Sequence, residues 1–278
     1  MDYDPTQFTG TAPYYLVGRP PYSAELPEVL AAELGLDGTG DLLDVGCGPG
    51  TVGVQLAPLF ERVTLLEPDA DMLAEARSLV SSRGLTAVDL VQATAEELTS
   101  LNLPRMRVVT FGQSFHRTDR ERAAAAVHDI LEPGGSMVLI THDPTRPPPG
   151  RPPGVPPIPH DEVDRVIERY LGPARRSGSR PATSYSSERF EDTLARTAFG
   201  RPRIVHAPGR PDVVRDVDGV IAGVLSMSYA APPLLGPRLH DFTAELRALL
   251  EQRSSTGRFW DWPGDTQIVI ATRRAMAT

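Results

Sequence analysis

The sequence predicts an α/β fold: a doubly wound, mostly parallel sheet with helices on both faces. Three observations predict it. Between residues 41 and 143, short apolar runs alternate five times with longer runs of helical period. The first run, Leu42, Leu43 and Val45, is apolar on both faces, as a central parallel strand requires. It leads into a turn with three glycines in five residues, Gly46, Gly48 and Gly50, and then into a helix. Such a turn lets a ligand approach the backbone closely, and the helix N-terminus behind it favours a polar or anionic group.

Composition narrows the function classes. The chain has 278 residues and 40% hydrophobic content, enough for one large domain or a core with an added subdomain. No run of about 18 apolar residues occurs, so no membrane span is expected. The start, Met1-Asp2-Tyr3-Asp4-Pro5, is polar and unlike a signal peptide. Cys47 is the single cysteine, which fits a reducing, cytoplasmic compartment. A net charge of −8 argues against a nucleic-acid partner, and the pairs Arg175-Arg176 and Arg273-Arg274 are too short for a basic patch.

The elements follow in order. Leu26, Val29, Leu30 and Leu34 predict a helix over about 23–35, closed by Gly35. After the glycine turn a helix is expected over 51–59, then a strand over 63–67 ending in Glu67. A helix over 71–82 puts Met72, Leu73, Ala76 and Leu79 on one face. The third strand is 88–91, and Glu96-Glu97 after it reads as a solvated helix start. The fourth strand, 107–111, runs into Gly112-Gln113-Ser114-Phe115-His116. Thr118-Asp119-Arg120-Glu121 reads as a capping box for a helix to Leu131, and 137–140 is the fifth strand.

A dinucleotide fingerprint, Gly-x-Gly-x-x-Gly, fits Gly46 and Gly48 but fails at Thr51. Instead, Asp44-Val45-Gly46-Cys47-Gly48-Pro49-Gly50 fully matches Asp-x-Gly-x-Gly-x-Gly. This resembles motif I of the class I S-adenosylmethionine (SAM) dependent methyltransferases, of the small-molecule, methyltransferase-11/25-like type. The resemblance implies a Rossmann-like sheet of seven strands, SAM as cofactor and S-adenosyl-L-homocysteine as product. It implies cofactor contacts from Asp44, Gly46, Cys47, Gly48 and Gly50. Glu67, nineteen residues past Gly48, would accept the ribose hydroxyls, a feature shared with dinucleotide enzymes. Pro68 and Met72 would pack near the adenine. Thr94 stands where the family often has Asp and would accept more weakly, while Ala95 would offer its N–H and Gln113 would follow motif IV. The segment Tyr15-x-x-x-Arg19-Pro20-x-Tyr22 resembles the N-terminal lid of the group, in which Tyr15 and Arg19 would reach the methionyl end. Arg suits a carboxylate because its fork binds both oxygens. The same residues also read as a surface turn set by Pro20-Pro21, with Tyr15 in the core.

Beyond residue 143 the resemblance is weak. Nine of the sixteen residues in 144–159 are Pro, which predicts an extended connector or lid. Helices are expected over 161–171, 187–199, 212–225 and 238–252, and strands over 203–206 and 265–272. The chain then divides into an N-terminal lid and helix (1–40), a cofactor-binding core (41–143), and a Pro-rich connector with a cap helix (144–185). Residues 186–278 supply the last helix and strands, with a helical substrate cap inserted at about 212–252.

Methyl transfer is an in-line displacement in which the protein orients the reactants. A base is needed only if the nucleophile holds a proton. His116, after the fourth strand, is the first candidate and His142, after the fifth, the second; each also reads as a packing residue. No spacing suggests a metal site. The expected activity is methylation of a small organic molecule. A SAM-binding relative with another reaction, a regulatory module, and a NAD(P)-dependent reductase are the rival readings.

Overall fold

The computed structural model describes residues 4, 6–145, 148, 150–177, 180, 181 and 188–274. Its helices are α1 (Ala12–Gly18), α2 (Leu26–Leu34), α3 (Thr51–Leu56), α4 (Ala70–Ser82), α5 (Arg120–Ile130), α6 (His160–Leu171), α7 (Phe190–Ala195), α8 (Val217–Leu225), α9 (Pro232–Leu235) and α10 (Leu239–Arg253). Its strands are β1 (Asp41–Val45), β2 (Arg62–Leu66), β3 (Val88–Val91), β4 (Met106–Gly112), β5 (Leu131–Asp143), β6 (Arg176–Ser177), β7 (Arg180–Pro181), β8 (Arg203–Ala207), β9 (Val214–Asp216), β10 (Arg258–Trp260) and β11 (Asp265–Thr272).

Seven strands form one sheet in the order β3-β2-β1-β4-β5-β11-β8. The pairs among β1–β5 are parallel, whereas β11 runs antiparallel to both β5 and β8. The strand order reverses between β1 and β4. In an open α/β sheet a reversal leaves a crevice at the carboxyl ends of the strands, where ligands bind.

The two faces of the sheet have separate cores, because successive strand residues point to opposite sides. Leu43, Val109, Phe111 and Leu139 pack with α5 and α7 on one face. Leu42, Val108, Val138 and Ile140 pack with α2, α3 and α4 on the other. A third core lies away from the sheet, where α6, α8 and α10 bury Val166, Ile167, Val220, Ile221, Phe242 and Leu246 together with Phe259 of β10. The Tyr170 ring meets Phe242 edge-on, with centroids 5.3 Å apart.

Asp44 is buried in β1 and stitches the sheet to the helix after it. Its Oδ2 accepts the Gly53 N–H of α3 at 3.0 Å, and its Oδ1 accepts the Thr110 hydroxyl of β4 at 2.7 Å. Burial pushes its carboxyl up to about 7, against the pull of those two bonds.

Several local expectations are corrected. The capping box is not at Thr118, whose hydroxyl turns back to the Phe115 carbonyl at 3.0 Å. Asp119 alone caps α5, accepting the Arg122 N–H at 3.2 Å. The box instead spans Thr94 and Glu97, so the acidic pair Glu96-Glu97 is more than a solvated start. α3 stops at Leu56 and tightens into a 3-10 turn through Leu59, since Pro58 has no N–H to continue the ladder. Helix α1 was not expected from its Tyr14-Tyr15-Leu16-Val17 run; it docks on α8. The helix expected from 212 begins only at Val217, because 214–216 pairs with β10 and Asp216 caps α8 on the Gly219 N–H at 2.7 Å. α7 is shorter than the expected 187–199, and Ser187, Gly178 and the boundary expected at 185 lie outside the described residues.

Two outcomes are expected. Phe242→Ala empties the third core and costs about 3–5 kcal/mol of unfolding free energy in urea; its hydrogen-exchange losses are expected in α6, α8 and α10 ahead of the sheet. Asp44→Asn keeps both bonds if the amide oxygen faces Gly53 and the NH2 donates to Thr110. The native state holds the Asp44 proton up to about 7, while the unfolded chain releases it at the ordinary carboxylate value. The wild type therefore loses stability relative to this variant as pH rises through that interval, by up to roughly 4 kcal/mol at 1.4 kcal/mol per pH step. Urea titrations of both proteins at acid and mildly alkaline pH measure the difference; a pH-independent difference would show that Asp44 titrates alike in both states.

Candidate active site

The crevice at the strand ends opens into a cavity of about 920 Å³. Its floor is the glycine turn. Gly46, Gly48 and Gly50 all take positive φ, 62°, 55° and 84°. A Cβ on Gly46 would stand 2.7 Å from the Ser114 Cβ, so the exit of β4 presses directly on the turn. Ser114 Oγ fastens that contact by donating to the Val45 carbonyl at 2.6 Å. Gln113 just before it has φ 54°, the single positive value at a non-glycine among the described residues. Its N–H reaches the Ile140 carbonyl at 3.0 Å, so the strand pairing holds an otherwise costly conformation at the cavity wall.

Glu67, the residue after β2, closes the floor. Its Oε2 accepts the Gly48 N–H at 2.8 Å and its Oε1 accepts the Asp69 N–H at 3.1 Å. Each oxygen keeps a second lone pair, so the carboxylate can still accept two hydroxyl protons. Burial raises it to about 7, with the two backbone bonds pulling the other way. Cys47 also lines the cavity, but burial pushes its thiol well up and the nearby Asp44 and Glu67 carboxylates add to this. It stays a protonated packing group.

Asp44 and Gly50, expected among the cofactor contacts, stand one layer behind the cavity. The oxygens of Asp44 are taken by Gly53 and Thr110, and Gly50 serves as the left-handed N-cap of α3. Their part is to shape the turn.

Pro68, Met72, Thr94 and Ala95 line the far end. The Thr94 N–H and hydroxyl both donate to the Glu97 carboxylate, at 2.7 and 3.0 Å. A hydroxyl that donates to an anion keeps its lone pairs as acceptors, so Thr94 can take a bond from an amino group.

The opposite wall comes from α1 and the strap after it. Tyr15, Arg19 and Tyr22 line the cavity, and the Arg19 guanidinium lies 4.8 Å from the Tyr15 ring centroid. Arg19 spends one NH2 donor on the Ser226 carbonyl at 2.8 Å, while its buried Nε–H has no hydrogen-bond partner. Phe8 stands edge-on to Tyr15 at 6.3 Å, under the Arg117 guanidinium at 4.5 Å.

The two histidines reach the same cavity from the ends of β4 and β5. Burial, then the Arg117, Arg120 and Arg19 charges, lower His116 to about 3. Burial lowers His142 to about 4, against the Asp261 charge and a bond to the Pro20 carbonyl. The His142 ring stacks on Tyr22 with centroids 4.7 Å apart and 9° between planes, and its Nδ1 is buried without a partner. The Pro20 carbonyl can only accept, so Nε2 carries the proton and Nδ1 the lone pair. Both imidazoles are neutral at physiological pH, and both are weak bases. Tyr22 is no acid or base either, since burial drives its hydroxyl far above the ordinary phenol value.

The structure thus gathers Tyr15, Arg19, Gly46, Cys47, Gly48, Glu67, Pro68, Met72, Thr94, Ala95, Gln113, His116 and His142 around one cavity. Tyr22, Ser114, Phe8 and Arg117 belong to it as well. Tyr22 was visible as the last residue of the Tyr-x-x-x-Arg-Pro-x-Tyr segment. Phe8 carried no local signal, because its place depends on how the N-terminal segment folds back. Among the described residues no three His, Cys, Asp or Glu side chains gather as a metal site.

Residues 42–135 match a protein-family model described as a methyltransferase domain. The chain is 26% identical over 185 residues to the 2-heptyl-1-hydroxyquinolin-4(1H)-one methyltransferase of Mycobacteroides abscessus, covering 63% of this chain and 81% of that protein. It is 30% identical over 133 residues to methyltransferase cfoB of Aspergillus candidus, covering 45% of this chain and 40% of that protein. It therefore spans less than half of the second relative. A provisionally assigned methyltransferase of Bacillus halodurans superposes with a TM-score of 0.50 at 16% identity, over 89% of this chain and 98% of that one. At that identity the likeness is one of fold. With motif I, the strand order and the matched model in agreement, residues 42–135 form a methyltransferase domain of the class I SAM-dependent type.

Proposed function

We propose that the chain transfers the methyl group of SAM to a small organic acceptor held inside the 920 Å³ cavity. One observation carries this reading: a ribose-type carboxylate, Glu67, and a carboxylate-type cation, Arg19, line the same cavity as the two strand-end histidines. A volume near the upper end of ordinary ligand pockets, roughly 300–1,000 Å³, leaves room for a cofactor and a second small molecule.

The residues fit the cofactor chemically. Glu67 has lone pairs left for two ribose hydroxyls, and its negative charge suits the nearby sulfonium. The orphaned Arg19 Nε–H is a buried donor that an amino-acid carboxylate would satisfy. Thr94 and Ala95 offer an acceptor and a backbone donor to the adenine edge. Bound there, SAM supplies an electrophilic methyl group. The chain's own residues orient the two reactants, exclude water with Phe8, Tyr15 and Tyr22, and hold the nucleophile in line.

Neither histidine draws a proton strongly, so the acceptor best suited is one whose nucleophilic atom is already ionised or carries a free lone pair. An aromatic wall of Tyr22 on His142 suits a flat ring. The Mycobacteroides abscessus relative, named for methylating a hydroxyquinolinone, supports an acceptor of this kind. The net charge of −8 supports a small molecule over RNA.

Titration calorimetry with SAM, S-adenosyl-L-homocysteine and NADH tests the cofactor; NADH binding without SAM binding sinks the reading. Glu67→Ala is expected to weaken SAM by about 1–3 kcal/mol. Because the Glu67 carboxyl sits at about 7 in the free protein, wild-type affinity should tighten as pH rises from about 6 to about 8 and then level, and Glu67→Gln should flatten that dependence. At saturating SAM, kcat is expected to show no imidazole break between about pH 6 and 9. A break near the ordinary histidine value that disappears in His116→Gln would show that His116 titrates as a base.

A further inference from the structure

α1 and the residue after it present Tyr15 and Arg19 to the cavity, and Tyr14 on the same helix packs against the third core. The main packing partner of α1 is α8, near the far end of the chain, with lesser contacts from α4 and Phe8. A Cβ on Gly18 would stand 2.4 Å from the backbone of Ala222, and one on Gly223 would stand 3.1 Å from the Gly18 carbonyl oxygen. α1 and α8 therefore cross backbone against backbone, with no side chain between them. The Arg19 guanidinium donates to the Ser226 carbonyl just past α8, 207 residues away. The Arg215 guanidinium donates to the Val17 carbonyl from β9. Arg215 is itself fixed by a largely buried ion pair with Asp261.

The strap after α1 is tied to the sheet side. Pro20 accepts from His142, Ser23 donates its N–H to Thr266 Oγ1 at 2.8 Å, and Gln55 donates to the Ser23 carbonyl at 2.7 Å. Residues 17–23 thus bridge the cap and the sheet, and the registry of Arg19 is set by where α8 sits.

We propose that α8 is a positioning element of the cofactor site: Gly18, Gly223 and the Ser226 carbonyl hold Tyr15 and Arg19 at the depth where the methionyl group binds. None of the three lines the cavity. This rests on the SAM reading above and adds the cap's role in it. Through α8 the cap controls cofactor affinity. A side chain at Gly18 meets backbone on the other side, so accommodating one requires the backbone crossing itself to shift.

The test uses the full chain, with S-adenosyl-L-homocysteine as probe in calorimetry and hydrogen exchange as the structural readout. Gly18→Ala is expected to raise the Kd at least about tenfold, the scale of one lost charge-assisted contact. Exchange should quicken in 12–23 while β1, β4 and β5 stay protected. Gly223→Ala, whose Cβ meets only the Gly18 carbonyl, 3.1 Å from its oxygen, is the milder second variant should Gly18→Ala fold poorly. Unchanged affinity in either variant, with 12–23 exchanging faster and the wild type binding normally, overturns the proposal. A loss of affinity with faster exchange across the whole sheet also overturns it, since the effect would then be loss of stability. Failure of the wild-type chain to bind the probe sinks the cofactor reading itself.

Discussion

At the end of β1 the chain has no room for a side chain at Gly46, because β4's exit residue Ser114 lies against it. Much of the site follows from that close approach. The Ser114 hydroxyl locks onto Val45, Gln113 is forced into a left-handed conformation, and His116 is delivered to the cavity one short turn later. On the other side the same turn offers the Gly48 N–H to Glu67. A backbone packed this tightly cannot slide, so the groups it carries keep their spacing without a ligand present.

The electrostatics of the cavity are divided between its two ends. Glu67 on the floor and Asp44 beneath it are buried carboxyls raised to about 7. Across from them, burial keeps both His116 and His142 neutral, and the Arg117, Arg120 and Arg19 charges add to this at His116. An acid near neutrality at one end and neutral imidazoles at the other suit a zwitterionic amino-acid group and a cationic centre better than they suit proton abstraction. Positioning, more than acid–base chemistry, is the resource this cavity offers.

The cap builds its own core and touches the cavity through α1. It is bound to α1 by the backbone crossing, by the Ser226 carbonyl, which accepts from Arg19, and by Arg215, which donates to the Val17 carbonyl. Before α6, Pro157 makes a single parallel bridge to Trp260 of β10.

The core of the fold was legible in the chain because it is local. Leu42, Leu43 and Val45 are apolar on both faces, and only a central strand satisfies that. Motif I and Glu67 lie within about 25 residues of each other, so turn chemistry and a single crossover bring them together. Asp44 and Thr118 were harder to read. Whether a carboxylate faces ligand or backbone, and which of two adjacent residues caps a helix, depends on neighbours that sequence does not display. What the sequence by itself determined is therefore the parallel sheet, the glycine turn and the methyltransferase motif, since each needs only residues close along the chain. Only the tertiary structure decided the neutral histidines, the aromatic wall of Tyr22 on His142, and the seating of α1 on α8. Those depend on burial and on contacts across some 200 residues, such as the 207 between Arg19 and Ser226, and no local pattern encodes them.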